Sequence, residues 1–186
     1  MAKKKKPEVK KSDVLSRHIP DNCTVFVGVD PGFSGGALCK IKVSKEGEIL
    51  SLDTTSLKCN TYGQVYTAVM EDLTCVECLV SIEEVNLQGK AAHAMDRLCK
   101  HAGACIAALD NIHACYTTPA PSSWRSEMKL KVTKMTSTEK AEYLYAEAKR
   151  LTENKWDFPK YASDAVLLAL RSYSTYKRLS QKEEIG

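Results

Sequence analysis

The sequence predicts an α/β domain built on a five-stranded mixed sheet with helices on both faces. Three observations carry this. Three short apolar or alternating runs follow one another after residue 23, separated by glycine-containing turns, which is the pattern of an antiparallel meander. Beyond them the apolar period changes, and strand-like segments alternate with helix-like ones. The chain has 186 residues, 44% of them hydrophobic, enough for one cored domain and short for two.

Residues 24–30, TVFVGVD, form an apolar run stopped by Pro31-Gly32 and read as a buried strand. Residues 36–43, GALCKIKV, alternate and read as a second strand, joined to the first as a hairpin through the short turn PGFSG. Residues 47–56 make a third strand after the turn Lys45-Glu46-Gly47. Val65, Val69 and Leu73 then recur at helical spacing within residues 62–73. Residues 79–85, LVSIEEV, are a fourth strand bearing two carboxylates. Residues 91–109 are a long helix rich in alanine and glycine, and residues 112–117 a fifth, short strand. A loop containing Pro119 and Pro121 follows. Ser137 or Thr138 is expected to cap a helix running over residues 139–151, and the last helix begins near Tyr161 or Ala162. A meander joined to strand–helix–strand units yields a mixed sheet covered by helices.

Composition narrows the function classes. The net charge of +4, from 27 basic and 23 acidic residues, permits a polyanionic partner without demanding one. No apolar run approaches the roughly 18 residues a membrane span needs. The opening MAKKKKPEVKK lacks the spaced arginines of a transit peptide and reads as a solvated basic arm that can add sequence-independent attraction to phosphates. The expected organisation is therefore a flexible arm over residues 1–22, one domain over 23–178 and a frayed tail over 179–186. Of the eight cysteines, Cys39, Cys99, Cys105 and Cys115 lie within apolar stretches, where a free thiol behaves as a small hydrophobe. With no secretory signal ahead of them, they point to free thiols in a reducing compartment, the cytoplasm, with an organelle as the alternative. Cys75 and Cys78 form a CxxC that has no second pair at zinc spacing.

Three acidic residues stand where a core resists them. Asp30 ends the most apolar strand, Glu83 follows Val80-Ser81-Ile82, and Asp164 opens the apolar final helix. Each alone has a plain explanation: a turn former, a solvent-facing strand residue and a partner for the helix dipole. Together, on this order of elements, they converge if the two strands are neighbours and the helix crosses their ends. Clustered carboxylates repel one another, and a hard divalent cation relieves that repulsion. Glu83 is preferred over Glu84 because alternation along a strand leaves Ile82 and Glu84 sharing the other face.

These segments resemble a known family. VFVGVDPGFSGGALCKI is similar to the first strand and turn of RuvC-like Holliday junction resolvases, VSIEEV to their second acidic strand, and YASDAVLLAL to their closing helix. The stretch from Gln88 through Leu109, followed by YTTPAPSSW, is similar to the phage-type branch. The resemblance spans about residues 24–170. It implies an RNase H-like fold, with Asp30, Glu83 and Asp164 as magnesium ligands, manganese able to substitute, and a homodimer that nicks a four-way DNA junction symmetrically. The family usually carries one more acid about a helical turn before the late aspartate. Lys160 and Tyr161 stand there in this chain, and Asp157 is the nearest upstream acid, so it is the candidate for the fourth catalytic carboxylate.

Phosphate contacts are expected from Arg125, Lys129, Lys131 and Lys134, and from Gln88, Lys90, Arg97 and Lys100. Phe33, beside Asp30, is a candidate stacking group at the junction. Trp124 reads as an anchor for its loop, and the small-residue helix as either a dimer face or a close-packing helix. Two other readings stand beside the resolvase: a junction-binding protein of the same fold that has lost cleavage, and a general RNase H-like nuclease.

Overall fold

The computed structural model describes residues 15–20, 22–32, 35–59, 61–85 and 92–183, apart from the side chains of 182 and 183. Five strands form one sheet: β1 (Val25–Asp30), β2 (Ala37–Val43), β3 (Ile49–Ser56), β4 (Cys78–Ile82) and β5 (Cys115–Thr117). Their order is β3-β2-β1-β4-β5. The first three strands make the antiparallel meander, while β4 and β5 add in parallel beside β1. The helices are α1 (Tyr62–Leu73), α2 (Ala92–Asn111), α3 (Pro121–Glu127), α4 (Ser137–Leu151) and α5 (Ser163–Glu183), the last entered through a 3₁₀ turn at Lys160–Ala162.

Alternation along the strands sorts the core into two layers. Val27, Val29, Val80 and Ile82 point to one face and pack with Val65, Val69 and Leu73 of α1 and with Cys105, Ala108 and Leu109 of α2. Phe26 and Leu79 point to the other, against Ala165, Leu168 and Ala169 of α5 and Leu144 and Ala148 of α4. The expected five-stranded mixed sheet with helices on both faces is the observed fold.

Gly28 sets how closely α5 lies on the sheet. A Cβ there would stand 2.0 Å from the Ala165 carbonyl oxygen and 2.4 Å from the Ala169 nitrogen. Only a residue without a side chain lets the helix backbone come this near the middle of β1. Ser172 completes the docking, donating to the Val27 carbonyl (2.9 Å) and bonding Ser81 Oγ (2.9 Å). Beside it Arg171, 1% exposed, bonds Ser81 Oγ (3.0 Å) and Thr117 Oγ1 (3.2 Å), and its Nε pairs with Glu127 of α3 (2.9 Å). A buried pair with this many partners is costly to break on one side only, so it ties α3 to the sheet and to α5.

Several boundaries depart from the sequence reading. Cys78 joins β4, and the strand ends at Ile82, although the Glu83 N–H still bonds the Val29 carbonyl (2.9 Å). Residues 112–114 form a turn with positive φ at His113, which shortens β5. The loop expected at Pro119–Pro121 opens α3 instead, with Pro121 in the first turn, where a missing N–H costs nothing. The cap of α4 is Thr136, not Ser137 or Thr138. Its hydroxyl accepts from the Glu139 N–H (3.3 Å) while the Glu139 carboxylate accepts from the Thr136 N–H (2.8 Å), a capping box. Residues 15–20, assigned by composition to the flexible arm, lie against the sheet: the Ser16 N–H donates to the Tyr116 carbonyl (2.9 Å), and Leu15 and Ile19 pack on the core. The tail expected to fray from 179 continues α5 to Glu183.

Candidate active site

The site lies at the end of the sheet where β1 and β4 terminate side by side. Parity along β1 carries Phe26, Gly28 and Asp30 to the α5 face, so Asp30 emerges under the helix's first turn. Parity along β4 does the same for Leu79, Ser81 and Glu83, because the bond from Glu83 to Val29 keeps the register one residue past the strand. Asp164 is the second residue of α5, which Gly28 lets lie directly over β1. The carboxylates of Asp30, Glu83 and Asp164 therefore meet, with close charge coupling among the three. Glu84 lines the edge of the same hollow and also a neighbouring groove. Glu83, the acid preferred from strand alternation, is the one in contact with Arg125 and Trp124.

The turn after Asp30 is tightly held. The Gly32 N–H donates to Asp30 Oδ1 (3.0 Å), and a Cβ at Gly36 would meet the Gly32 carbonyl oxygen at 2.3 Å. From beneath, the buried His101 of α2 donates Nδ1–H to the Pro31 carbonyl (3.0 Å), and burial lowers the histidine's pKa, favouring the neutral ring. Burial, then repulsion from Glu83 and Asp164, pushes the Asp30 carboxyl up to about 8. Burial also raises Glu83, partly offset by Arg125 and by the bond from Trp124.

Helix α3 closes the site. Trp124, fully buried, donates its indole N–H to Glu83 Oε1 (3.0 Å). It is the anchor the sequence suggested, with a second task as a hydrogen-bond donor. Arg125 Nη2 lies 2.9 Å from Glu83 Oε1 and 3.1 Å from Asp164 Oδ2. Expected to face phosphate, Arg125 here binds two of the carboxylates. Lys140 of α4, which the sequence reading passed over, lines the hollow with Asp30, Glu83 and Arg125. One lysine on a polar helix face carries no local signal, and only the packing of α4 brings it here.

Asp157 does not join the cluster. Its side chain is fully exposed and pairs with Lys149 (3.1 Å). The intervening 3₁₀ turn gives the site Tyr161 and Lys160 as rim residues, where Lys160 pairs with Glu142. Lys129, Lys131 and Lys134 are exposed on the segment after α3, and Lys100 is exposed and paired with Asp96 (2.8 Å). Arg97 is half-buried on α2. Phe33, Gln88 and Lys90 lie outside the described residues.

Three carboxylates make an all-oxygen donor set of the kind hard divalent cations take. Asp164 Oδ1 is buried and accepts no hydrogen bond, an unmet acceptor that such an ion would satisfy. As the side chains stand, no three Asp, Glu, His or Cys among the described residues are close enough to grip one ion, and Arg125 lies between two of the three acids. The donors fit a divalent cation in chemistry and charge, while their present spacing, with Arg125 between two of them, does not yet close around one.

No family model and no curated protein matches the chain. Solved structures do. RuvC of Thermus thermophilus superposes with a TM-score of 0.61 at 19% identity, covering 84% of this chain and 96% of that one. The same protein in complex with a Holliday junction substrate gives 0.61 at 17% identity, covering 83% and 96%. The chain therefore has the RuvC fold, a member of the RNase H-like class. The fold implied by the sequence resemblance is the one observed.

Proposed function

We propose that this protein is a metal-dependent endodeoxyribonuclease that resolves four-way DNA junctions by symmetric nicking. One observation carries the reading: Asp30, Glu83 and Asp164, from three separate elements, meet at the carboxyl end of β1 and β4 on a RuvC fold. The neighbouring solved structure holding a Holliday junction substrate supports branched DNA as the partner. Asp30, Glu83 and Asp164 would hold magnesium, or manganese in its place, and when bound such an ion supplies an activated water and charge neutralisation at the phosphodiester.

The chain's own residues do the rest. Trp124 fixes the Glu83 carboxylate, the Gly32 N–H and the His101-held turn fix Asp30, and Gly28 delivers Asp164. Phosphates of the approaching strands meet Lys129, Lys131 and Lys134 on one side and Lys140 within the hollow. Arg97, Lys100 and the undescribed Phe33, Gln88 and Lys90 remain candidates for further contacts. Asp157, exposed and paired with Lys149, is left as a candidate fourth acid only if the segment before α5 rearranges. A two-fold homodimer matches a two-fold junction, since each site then meets an equivalent strand. Ala92, Gly103 and Ala107 are exposed small positions on one side of α2, the candidate for that contact.

The test is a nicking assay on a synthetic four-way junction with magnesium. Wild type should cut two opposed strands, and Asp30→Asn should lose cleavage by at least about a hundredfold while binding the junction as well or better, because one negative charge has left the site. Full activity in Asp30→Asn overturns the assignment. Binding without any wild-type cleavage supports the alternative of a junction-binding protein. Preference for an RNA–DNA hybrid over the junction supports a general RNase H-like nuclease.

A further inference from the structure

Arg125 makes an incomplete ion pair at the centre of the site. Guanidinium–carboxylate pairs are strongest as a fork, two nitrogens to two oxygens. Here a single nitrogen, Nη2, serves Glu83 Oε1 at 2.9 Å and Asp164 Oδ2 at 3.1 Å. Arg125 Nε is buried with no acceptor, and Asp164 Oδ1 is buried with no donor. Both shortfalls fall on the same contact. The three side chains are only 12%, 15% and 20% exposed, so water offsets them little.

A guanidinium in this position stands in for a missing positive charge. It offsets part of the repulsion among three ionisable carboxylates at the cost of two unmet polar atoms. A divalent ion offering several coordination positions would offset more and would satisfy Asp164 Oδ1. Two cations sharing Glu83 and Asp164 in so sheltered a place would repel each other strongly. Arg125 has somewhere else to go, because it also lines a groove of about 810 Å³ bordered by Glu84, Pro121, Ser126 and Val132. Its guanidinium lies 4.7 Å from the centre of the Trp124 ring, a cation–π contact.

We propose that Arg125 is a resident counter-cation: it holds Glu83 and Asp164 together in the metal-free protein, and a divalent ion displaces it into the adjoining groove. This rests on the reading of the three carboxylates as a cation site. Its consequence is that the protein competes with its own metal. The ion's apparent affinity is set by how readily Arg125 leaves, and a guanidinium becomes free in the groove only when the ion is in place.

Manganese binding to the DNA-free, full-length protein tests this, measured by calorimetry and by loss of the free-ion paramagnetic signal. Arg125→Ala and Arg125→Gln should each bind Mn²⁺ about tenfold or more tightly than wild type, since each removes a competing unit charge in contact with two ligands. Lys140→Ala removes a like charge that lines the hollow and makes no ion pair among the described residues, and should tighten binding by clearly less than Arg125→Gln does. In melting experiments Arg125→Gln should be less stable than wild type without Mn²⁺ and recover with it, which separates lost folding from lost competition. If wild type binds Mn²⁺ and both Arg125 variants bind equally or more weakly, Arg125 is a fixed structural partner and the inference fails, while the cation site stands. If Lys140→Ala tightens binding as much as Arg125→Gln does, the effect is general electrostatics and the inference also fails. If neither wild type nor variants bind Mn²⁺, the cation-site reading fails and takes the inference with it.

Discussion

At the scale of single residues, the buried carboxyl groups make the site sensitive to pH in a definite direction. Asp30 titrates near 3.8 when free and near 8 in the folded protein, and Glu83 shifts the same way. Between those values the metal-free folded state binds more protons than the unfolded chain. The stability this confers is complete below about pH 3.8, declines as pH rises and is gone above about 8. The melting temperature of metal-free protein should therefore fall from pH 5 to pH 9, and Asp30→Asn should flatten most of that slope. A slope unchanged by the substitution would refute the coupling. For the same reason, cation uptake at pH 7 should release protons, visible as a calorimetric heat that changes with the buffer's ionisation enthalpy.

Residue chemistry also marks how far sequence could see. Asp30, Glu83 and Asp164 were identifiable because an acid beside an apolar run violates the solvation rule that shaped the run. Alternation then chose Glu83 over Glu84. Trp124, Lys140 and His101 carry no such violation. An indole, a surface lysine and a histidine on a helix are each ordinary until packing brings them to Glu83, to the hollow and to Pro31. Asp157 stands apart from the cluster for the matching reason: nearness along the chain is not nearness in space, and the segment before α5 turns its carboxylate out to Lys149.

At the scale of elements, the contact between β1 and α5 decides the geometry. Gly28→Ala puts a methyl within 2.0 Å of the Ala165 carbonyl oxygen, so helix and strand must part. The expected cost is about 3 kcal/mol, with loss of cleavage because Asp164 moves with the helix; chemical denaturation and the nicking assay check both. Gly103 on α2 is the contrast. A Cβ there meets nothing within 4 Å, so Gly103→Ala should stabilise the domain by up to about 1 kcal/mol through helix propensity alone. Destabilisation by Gly103→Ala at concentrations that favour association would instead place α2 at a contact between copies. Element identity was legible where periodicity was long and clean, as in α1, α4 and the meander. The short α3 was not, although Pro121 at its first turn was a usable signal.

For the whole molecule, burial predicts which thiols are reachable. Cys75 and Cys99 are exposed and Cys59 is half-buried, while Cys23, Cys39, Cys78, Cys105 and Cys115 are buried. Burial also raises the thiol pKa, to about 12 at Cys78 and Cys105 and about 11 at Cys115. A thiol reagent should therefore modify up to three cysteines quickly in the native protein and all eight after denaturation. Rapid native modification of Cys78 or Cys105 would contradict the two-layer core. Among the described residues no helix is long and apolar enough to cross a membrane.

The chain's own order of residues determined the fold class, the succession of strands and helices, and which acids were out of place, because periodicity and solvation act locally and leave local traces. Tertiary structure alone decided that Arg125 lies between two of those acids, that Trp124 and Lys140 belong with them, and that Asp157 does not. Those placements depend on how closely α5 settles on Gly28 and on how Arg171 and Glu127 tie α3 to the sheet. Such contacts join segments far apart in sequence, so no window along the chain contains them.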